Sequence, residues 1–404
     1  MPSAWKYTFR ALKNQNFLRL WISTVSMVAG YQMQGIAQGY LVYEMTGSAK
    51  ILSIVAGSSA LPVLGLALVG GAVADRLKPK ILIQSGQAFS TIVAIFIAVS
   101  IMSQTITWKH LVFVALLQGI IWSFQGPARQ ALLPHILNRD KIANAIALIS
   151  AGMSAPALIA PAIAGLIYAF VGPEGVYFVV AGLGVLAVMF STSIQMSEIY
   201  QQVNKGSIFA DMRAGLSYIW DKDLIRSLLM LGFVFIFFSA PLPNLLPVLI
   251  MNVYGREAGA LGLLVSMSGI GALVGTLGIA ALPERKRGFV FIGGGFTVGF
   301  ATLMIASLPY YPAGLVIMVV FGFGSAVVWS LNQVLIMSHV ENNFRGRVMS
   351  IFMMNFGLTP LSILPAGILV DLFGVTRILV GVGILVVVLA LVVITRTNRI
   401  RSIQ

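Results

Sequence analysis

There is no cysteine among the 404 residues, so the chain forms no disulfide and offers no thiolate for catalysis or metal binding. Charge is nearly as scarce: Asp, Glu, Lys and Arg make up 9% of the chain, against roughly 25% in soluble globular proteins. With 58% hydrophobic residues and a mean hydropathy of +0.94, the chain is built for lipid rather than water. No ionisable side chain falls deep in an apolar run. The 12 carboxylates, among them Glu44, Asp75 and Asp371, and the 3 histidines sit at the ends of such runs or between them. A charge at the bilayer centre costs at least about 2.5–3.5 kcal/mol, so recognition of a cargo falls to uncharged polar groups and aromatic rings. Metal-ligand spacings, a nucleophile beside a base and a phosphate loop are all missing, which argues against an enzyme and against any metal or cofactor.

What is present is a succession of long apolar stretches. A membrane span needs about 20 mostly apolar residues, and such runs are read at 16–43, 49–74, 81–103, 109–134, 142–170, 174–195, 225–252, 258–283, 288–308, 312–338, 347–373 and 376–395. The pattern predicts an all-α, polytopic membrane protein with twelve transmembrane helices. Of the 26 Lys and Arg residues, only Lys50, Lys109, Arg256 and Arg377 fall on the side opposite the N-terminus. The positive-inside rule therefore predicts a multi-pass protein of the cell membrane with both termini in the cytoplasm. Lys6, Arg10 and Lys13 with Trp5, Tyr7 and Phe9 read as an interfacial lead-in rather than a cleavable signal. Basic residues scattered over separate loops do not make the single stripe that nucleic acid requires.

Hydrophobicity falls at mid-chain, where 196–224 carries Glu198, Lys205, Asp211 and Arg213 around an amphipathic Phe209, Met212, Leu216, Ile219 pattern. This reads as a cytoplasmic linker with an amphipathic helix, dividing the chain into six-span halves at 1–195 and 225–404. Ala164, Gly165 and Gly172 recur as Ala366, Gly367 and Gly374, 202 residues on. Internal duplication is a common architecture of secondary transporters, with cargo held between the repeats. Small residues cluster in the second, fifth, eighth and eleventh spans, as in the Gly152, Pro156, Ala160, Ala164 row on one helical face, and predict close helix approach there.

The uncharged candidates for a cavity are Gln34 and Gln38 on the first span, Gln118, Trp122 and Gln125 on the fourth, Phe237 and Asn244 on the seventh, Trp329, Asn332 and Gln333 on the tenth, and Asn355 on the eleventh. A buried amide without a partner costs roughly 1–3 kcal/mol. These groups therefore bond one another, satisfy kinked backbone, or face a wet cavity.

Gly71, Ala72, Val73, Ala74, Asp75, Arg76, with Lys78 and Lys80, resembles the loop signature of the major facilitator superfamily, Lys78 standing where a glycine is usual. Pro156, Pro161 and Gly165 in the fifth span resemble the antiporter signature of its drug exporters. The runs from Pro127 to Pro134, from Arg345 to Ser350 and from Leu41 to Ala49 are similar to the branch of enterobactin, drug-efflux and secretion-effector permeases. The resemblance implies a monomer of two pseudo-symmetric halves, surrounded by membrane lipids, with spans one, four, seven and ten around a central path. It implies a cytoplasmic latch in which Gly71, Asp75 and Arg76 engage Arg129 and Arg347. It also implies alternating-access efflux of small amphipathic molecules, drugs or siderophore-like compounds, by proton antiport through Glu44, Asp75 or Asp371. A lipid or lysolipid flippase and a non-transporting receptor or scaffold are the alternatives on the same fold.

Overall fold

A computed structural model describes residues 10–66, 78–195, 208–280, 287–341 and 344–396. Gly71, Asp75 and Arg76 lie outside these residues, as does the side chain of Asn355. Every described run is helical: α1 is Gln15–Thr46, α2 Ala49–Leu66, α3 Pro79–Met102, α4 Trp108–Ile136, α6 Pro173–Thr192, α8 Ala258–Ala280, α9 Arg287–Ser307, α10 Tyr311–His339 and α12 Val375–Arg396. Four helices are broken, α2 among them, interrupted at Ser59. α5 runs Arg139–Ser154 and Pro156–Val171, α7 Asp223–Ser239 and Pro241–Asn252, and α11 Arg345–Leu358 and Pro360–Phe373. An amphipathic helix, Ile208–Asp221, joins α6 to α7.

The ends of the helices follow from local chemistry. The Asn14 side chain accepts the Phe17 N–H at 3.0 Å to start α1, and Thr107 with His110 makes a capping box for α4. Proline opens α3 and α6, where its missing N–H leaves nothing unmade, and also opens the second segments of α5 and α7. Ten spans are long and apolar enough to cross a membrane by composition alone. α1 is more polar, but its 32 residues reach about 48 Å.

The halves repeat one packing scheme. In the first, α1 packs on α6, α6 on α3, α3 on α4 and α4 on α2; in the second, α7 on α12, α12 on α9, α9 on α10 and α10 on α8. Both halves turn on left-handed glycines at matched places, Gly47 with Gly255 and Gly172 with Gly374. A side chain at Gly119 would meet the Ser59 carbonyl at 2.0 Å, and one at Gly322 the Ser268 carbonyl at 1.8 Å, so the α4–α2 and α10–α8 crossings match too. α5 and α11 break at equivalent points, before Pro156 and Pro360, and carry Pro161 and Pro365 beyond.

The halves meet along α2 against α11 and α5 against α8. A Cβ at Gly165 would lie 2.5 Å from the Ala258 carbonyl, and one at Gly367 lies 2.6 Å from the Ala49 carbonyl, the same contact made twice. Such bare backbone-to-backbone approach is what small-residue rows provide in membrane helices. The end of the molecule carrying Arg10 and Arg396 is here the near end, and the opposite one the far end. At the far end one buried apolar cluster draws on both halves, from Tyr40 and Val55 to Leu246, Leu261 and Val370. Towards the near end it gives way to two separate clusters, around Leu20, Leu132 and Leu148 in the first half and around Leu228, Phe291 and Phe352 in the second. Among the described residues, the buried apolar core is joined far and parted near.

The break in α7 has no counterpart in α1, which is continuous. Pro241 has no N–H for the Phe237 carbonyl four residues back, and the Ser362 hydroxyl of α11 donates to that carbonyl instead. Ser362→Ala leaves the carbonyl unpartnered at a cost of about 1–3 kcal/mol. The midpoint of thermal unfolding in detergent should fall for Ser362→Ala and hold for Ser362→Thr, which keeps the hydroxyl.

Candidate functional site

Helices α1 and α4 bring three predicted amides into one directed chain. Ser90 on α3 donates to Gln118 Oε1 at 3.4 Å, Gln118 Nε2 to Gln34 Oε1 at 3.3 Å, Gln34 Nε2 to Gln38 Oε1 at 3.4 Å, and Gln38 Nε2 to the Leu111 carbonyl at 3.4 Å. Each amide passes a donor on and receives one, so the chain is polarised in a single direction. Beside it Tyr31 and Trp122 stack with centroids 5.0 Å apart, both residues exposed. The niche between α1, α3, α4 and α6 that remains holds about 20 Å³, room for about one water.

Gln125 leaves this group. It is 3% exposed and turned towards α3, its Nε2 lying 3.0 Å from where a Cβ at Gly86 would be. The i, i+4, i+7 course from Gln118 through Trp122 fails at its third member because the glycine opposite makes a slot for the longer amide.

In the second half, α7, α9 and α10 enclose a pouch of about 270 Å³. Trp329 lines it and tilts against Phe352, centroids 4.8 Å apart. Asn332 does not reach it. That side chain is fully buried against Gly232 on α7, with neither amide atom partnered. Asn244 donates to the Ala240 carbonyl at 2.8 Å, within its own helix beside the α7 break. Phe237 packs edge-on against Phe238 and tilted against Phe233, and Gln333 is half-buried on α10. Sequence reasoning missed the serines that line the pouch, Ser239 and Ser325, since a serine in an apolar run carries no periodic signal.

At the far end Asp371 and Glu44 are both engaged. Asp371 on α11 crosses to the start of α2, accepting from the Ser48 hydroxyl and Ala49 N–H at 2.6 Å each and from the Lys50 N–H at 3.1 Å. A negative charge at a helix N-terminus is stabilising, and here it ties one half to the other. Glu44 accepts from the Tyr168 hydroxyl at 2.5 Å within the first half. Asn252 of α7 donates to the Tyr43 hydroxyl of α1 at 2.6 Å, and the Ala162 N–H of α5 to Ser266 Oγ of α8 at 3.0 Å, adding two further links between halves.

Residues 6–403 match the sequence profile of the family described as transmembrane secretion effector. The chain belongs to this family. It is 25% identical over 386 residues to the multidrug efflux pump Tap of Mycobacterium tuberculosis, covering 92% of this chain and 91% of that one. It is 26% identical over 380 residues to the staphyloferrin A transporter of Staphylococcus aureus, covering 92% and 93%. Among solved structures, the fold matches a variant of the nucleoside transporter NupG with a TM-score of 0.80, at 15% identity, over 95% of this chain and 100% of that one. The twelve-helix, two-half bundle is thus the major facilitator fold, and this secretion effector is an integral membrane transporter of small molecules, not an enzyme.

At the near end of this secretion effector, Arg129 is buried in α4 and its guanidinium lies 3.5 Å from Met153 Sδ of α5. Arg347 at the start of α11 lies over the Phe344 ring at 5.3 Å and packs beneath Gly215 of the amphipathic helix. Tyr218 of that helix stacks on Phe344 at 4.2 Å.

Proposed function

We propose that the protein exports small amphipathic molecules, drugs or siderophore-like compounds, from the cytoplasm by alternating access and proton antiport, working as a monomer. The observation that carries this reading is the core that is joined at the far end and parted at the near end. Because the near end bears most of the Lys and Arg residues, the positive-inside rule makes it cytoplasmic, and the state described is inward-facing. The halves 1–195 and 225–404 move about the linker 196–224. Relatives named as multidrug, macrolide and staphyloferrin A transporters support a cargo that is neither a small ion nor a simple sugar.

Gly71, Asp75 and Arg76, with Arg129 and Arg347, form the latch that closes the near end, while Pro156, Pro161 and Gly165 shape α5 against α8. Glu44, Asp75 and Asp371 are the carboxylates available for coupling.

Purified protein in proteoliposomes, offered ethidium and erythromycin with and without an imposed pH gradient, should move at least one of them several-fold faster with the gradient. Equal rates with and without it would remove the antiport, and no movement of either compound would remove the exporter.

A further inference from the structure

The two cavities occupy equivalent places in the two halves, and their contents differ. Gly119 and Gly322, each against a serine carbonyl of the neighbouring helix, set an offset of 203 residues between α4 and α10 (119 to 322). The same offset carries Trp122 onto Ser325. The turn glycines Gly47 and Gly255 set an offset of 208 between α1 and α7 (47 to 255), which carries Tyr31 onto Ser239. In the first half Tyr31 and Trp122 stack at these positions, and the niche that Tyr31 lines holds about 20 Å³. In the second, two serines stand in those positions and about 270 Å³ is open.

What surrounds that space defines a guest. The lining has no charged side chain, and Phe235, Val298, Phe321 and Trp329 make its walls. An ion there would be desolvated without a partner, at a cost of several kcal/mol. Ser325 Oγ is buried without a hydrogen-bond partner, an arrangement that costs about 1–3 kcal/mol until something bonds it. Pro243 supplies no N–H to the Ser239 carbonyl four residues back, so an acceptor stands at the same break. The volume falls just under the usual range of small-ligand pockets, roughly 300–1,000 Å³.

We propose that the pouch between α7, α9 and α10 is a substrate subsite for one neutral, flat aromatic or cyclic group bearing a hydroxyl or amide, which takes the place that the Tyr31–Trp122 stack takes in the other half. Ser325 meets the polar atom and Trp329 the ring. Calling the guest a substrate rests on the export reading above; its binding does not, and is measured without flux.

The test titrates the full chain, purified in detergent, with 1-naphthol, followed by the naphthol's fluorescence. Ser325→Trp, which puts back the ring of the other half, should weaken binding at least tenfold with the thermal midpoint retained. Ser325→Ala should weaken it about three- to tenfold, the loss of one hydrogen bond, and 1-naphthalenesulfonate should not bind. If Ser325→Trp does not fold, Ser239→Tyr carries the same expectation. Unchanged affinity in the folded ring-bearing variant, equal binding of the sulfonate, or no binding of 1-naphthol to the unaltered protein would each overturn the subsite. Ethidium or erythromycin flux by the same variants in proteoliposomes reports separately on the exporter reading.

Discussion

Asp371→Ala is expected to open the far end. The carboxylate makes three contacts with the start of α2 across the boundary between halves, and the position 202 residues earlier is Ala169, so the α5–α8 side has no matching carboxylate. The charge–dipole part of the clasp is worth about 1–2 kcal/mol, which corresponds to roughly 5–30-fold in a two-state population. The chain has no cysteine, so a single introduced thiol reports without further changes. Gly39→Cys is suited to this, because its Cβ would sit 3.4 Å from Pro247 of α7, an ordinary contact under the far seal. Labelling of that thiol by an impermeant maleimide from the far side should accelerate about tenfold in Asp371→Ala. Asp371→Asn keeps an acceptor but loses the charge and should fall between. Labelling at the unaltered rate in Asp371→Ala would mean that the clasp does not hold the gate.

A second large effect is expected at Gly262. Its Cβ would lie 2.2 Å from the Pro161 carbonyl and 3.1 Å from Gly165 Cα, both backbone atoms of α5 in the other half. No side chain fits without prising α5 off α8. Gly262→Leu should abolish transport to below a tenth of the unaltered rate and hold the Gly39→Cys reporter open to the far side. Gly278→Ala, on the same helix with nothing within 4 Å of its Cβ position, should transport normally. Gly119→Leu and Gly322→Leu strike crossings inside one half, so their damage should appear as lost folded protein rather than as altered accessibility. Full transport by Gly262→Leu would show that the seam tolerates separation throughout the cycle.

The helices were legible because lipid imposes a length and a composition on every span. The run read at 109–134 is α4 at Trp108–Ile136, and that at 312–338 is α10 at Tyr311–His339. The breaks in α5, α7 and α11 were not drawn, since apolar composition continues through Ala155, Ala240 and Thr359. The half-chain echo was legible in Gly165 and Gly367, because a close crossing admits no substitute with a side chain. The cavity was harder. Gln34, Gln38 and Gln118 share a chain because helical spacing puts them on facing surfaces, whereas the directions of Gln125 and Asn332 depend on Gly86 and Gly232 of neighbouring helices, which periodicity along one helix does not report. The pouch was invisible for a simpler reason: it consists of volume that Ser239 and Ser325 leave unfilled.

The breaks at Ala155 and Thr359 have one more consequence. Pro156 and Pro360 have already removed a rung from the backbone ladder at each site, so α5 and α11 bend there without sacrificing a hydrogen bond. Arg139–Ser154 and Arg345–Leu358 are then two levers hinged at the same depth, and each can swing while the segment beyond its hinge stays docked on α8 or α2. On the export reading proposed above, the entrance can narrow around a cargo before the exit loosens, and both passages need never stand ajar together.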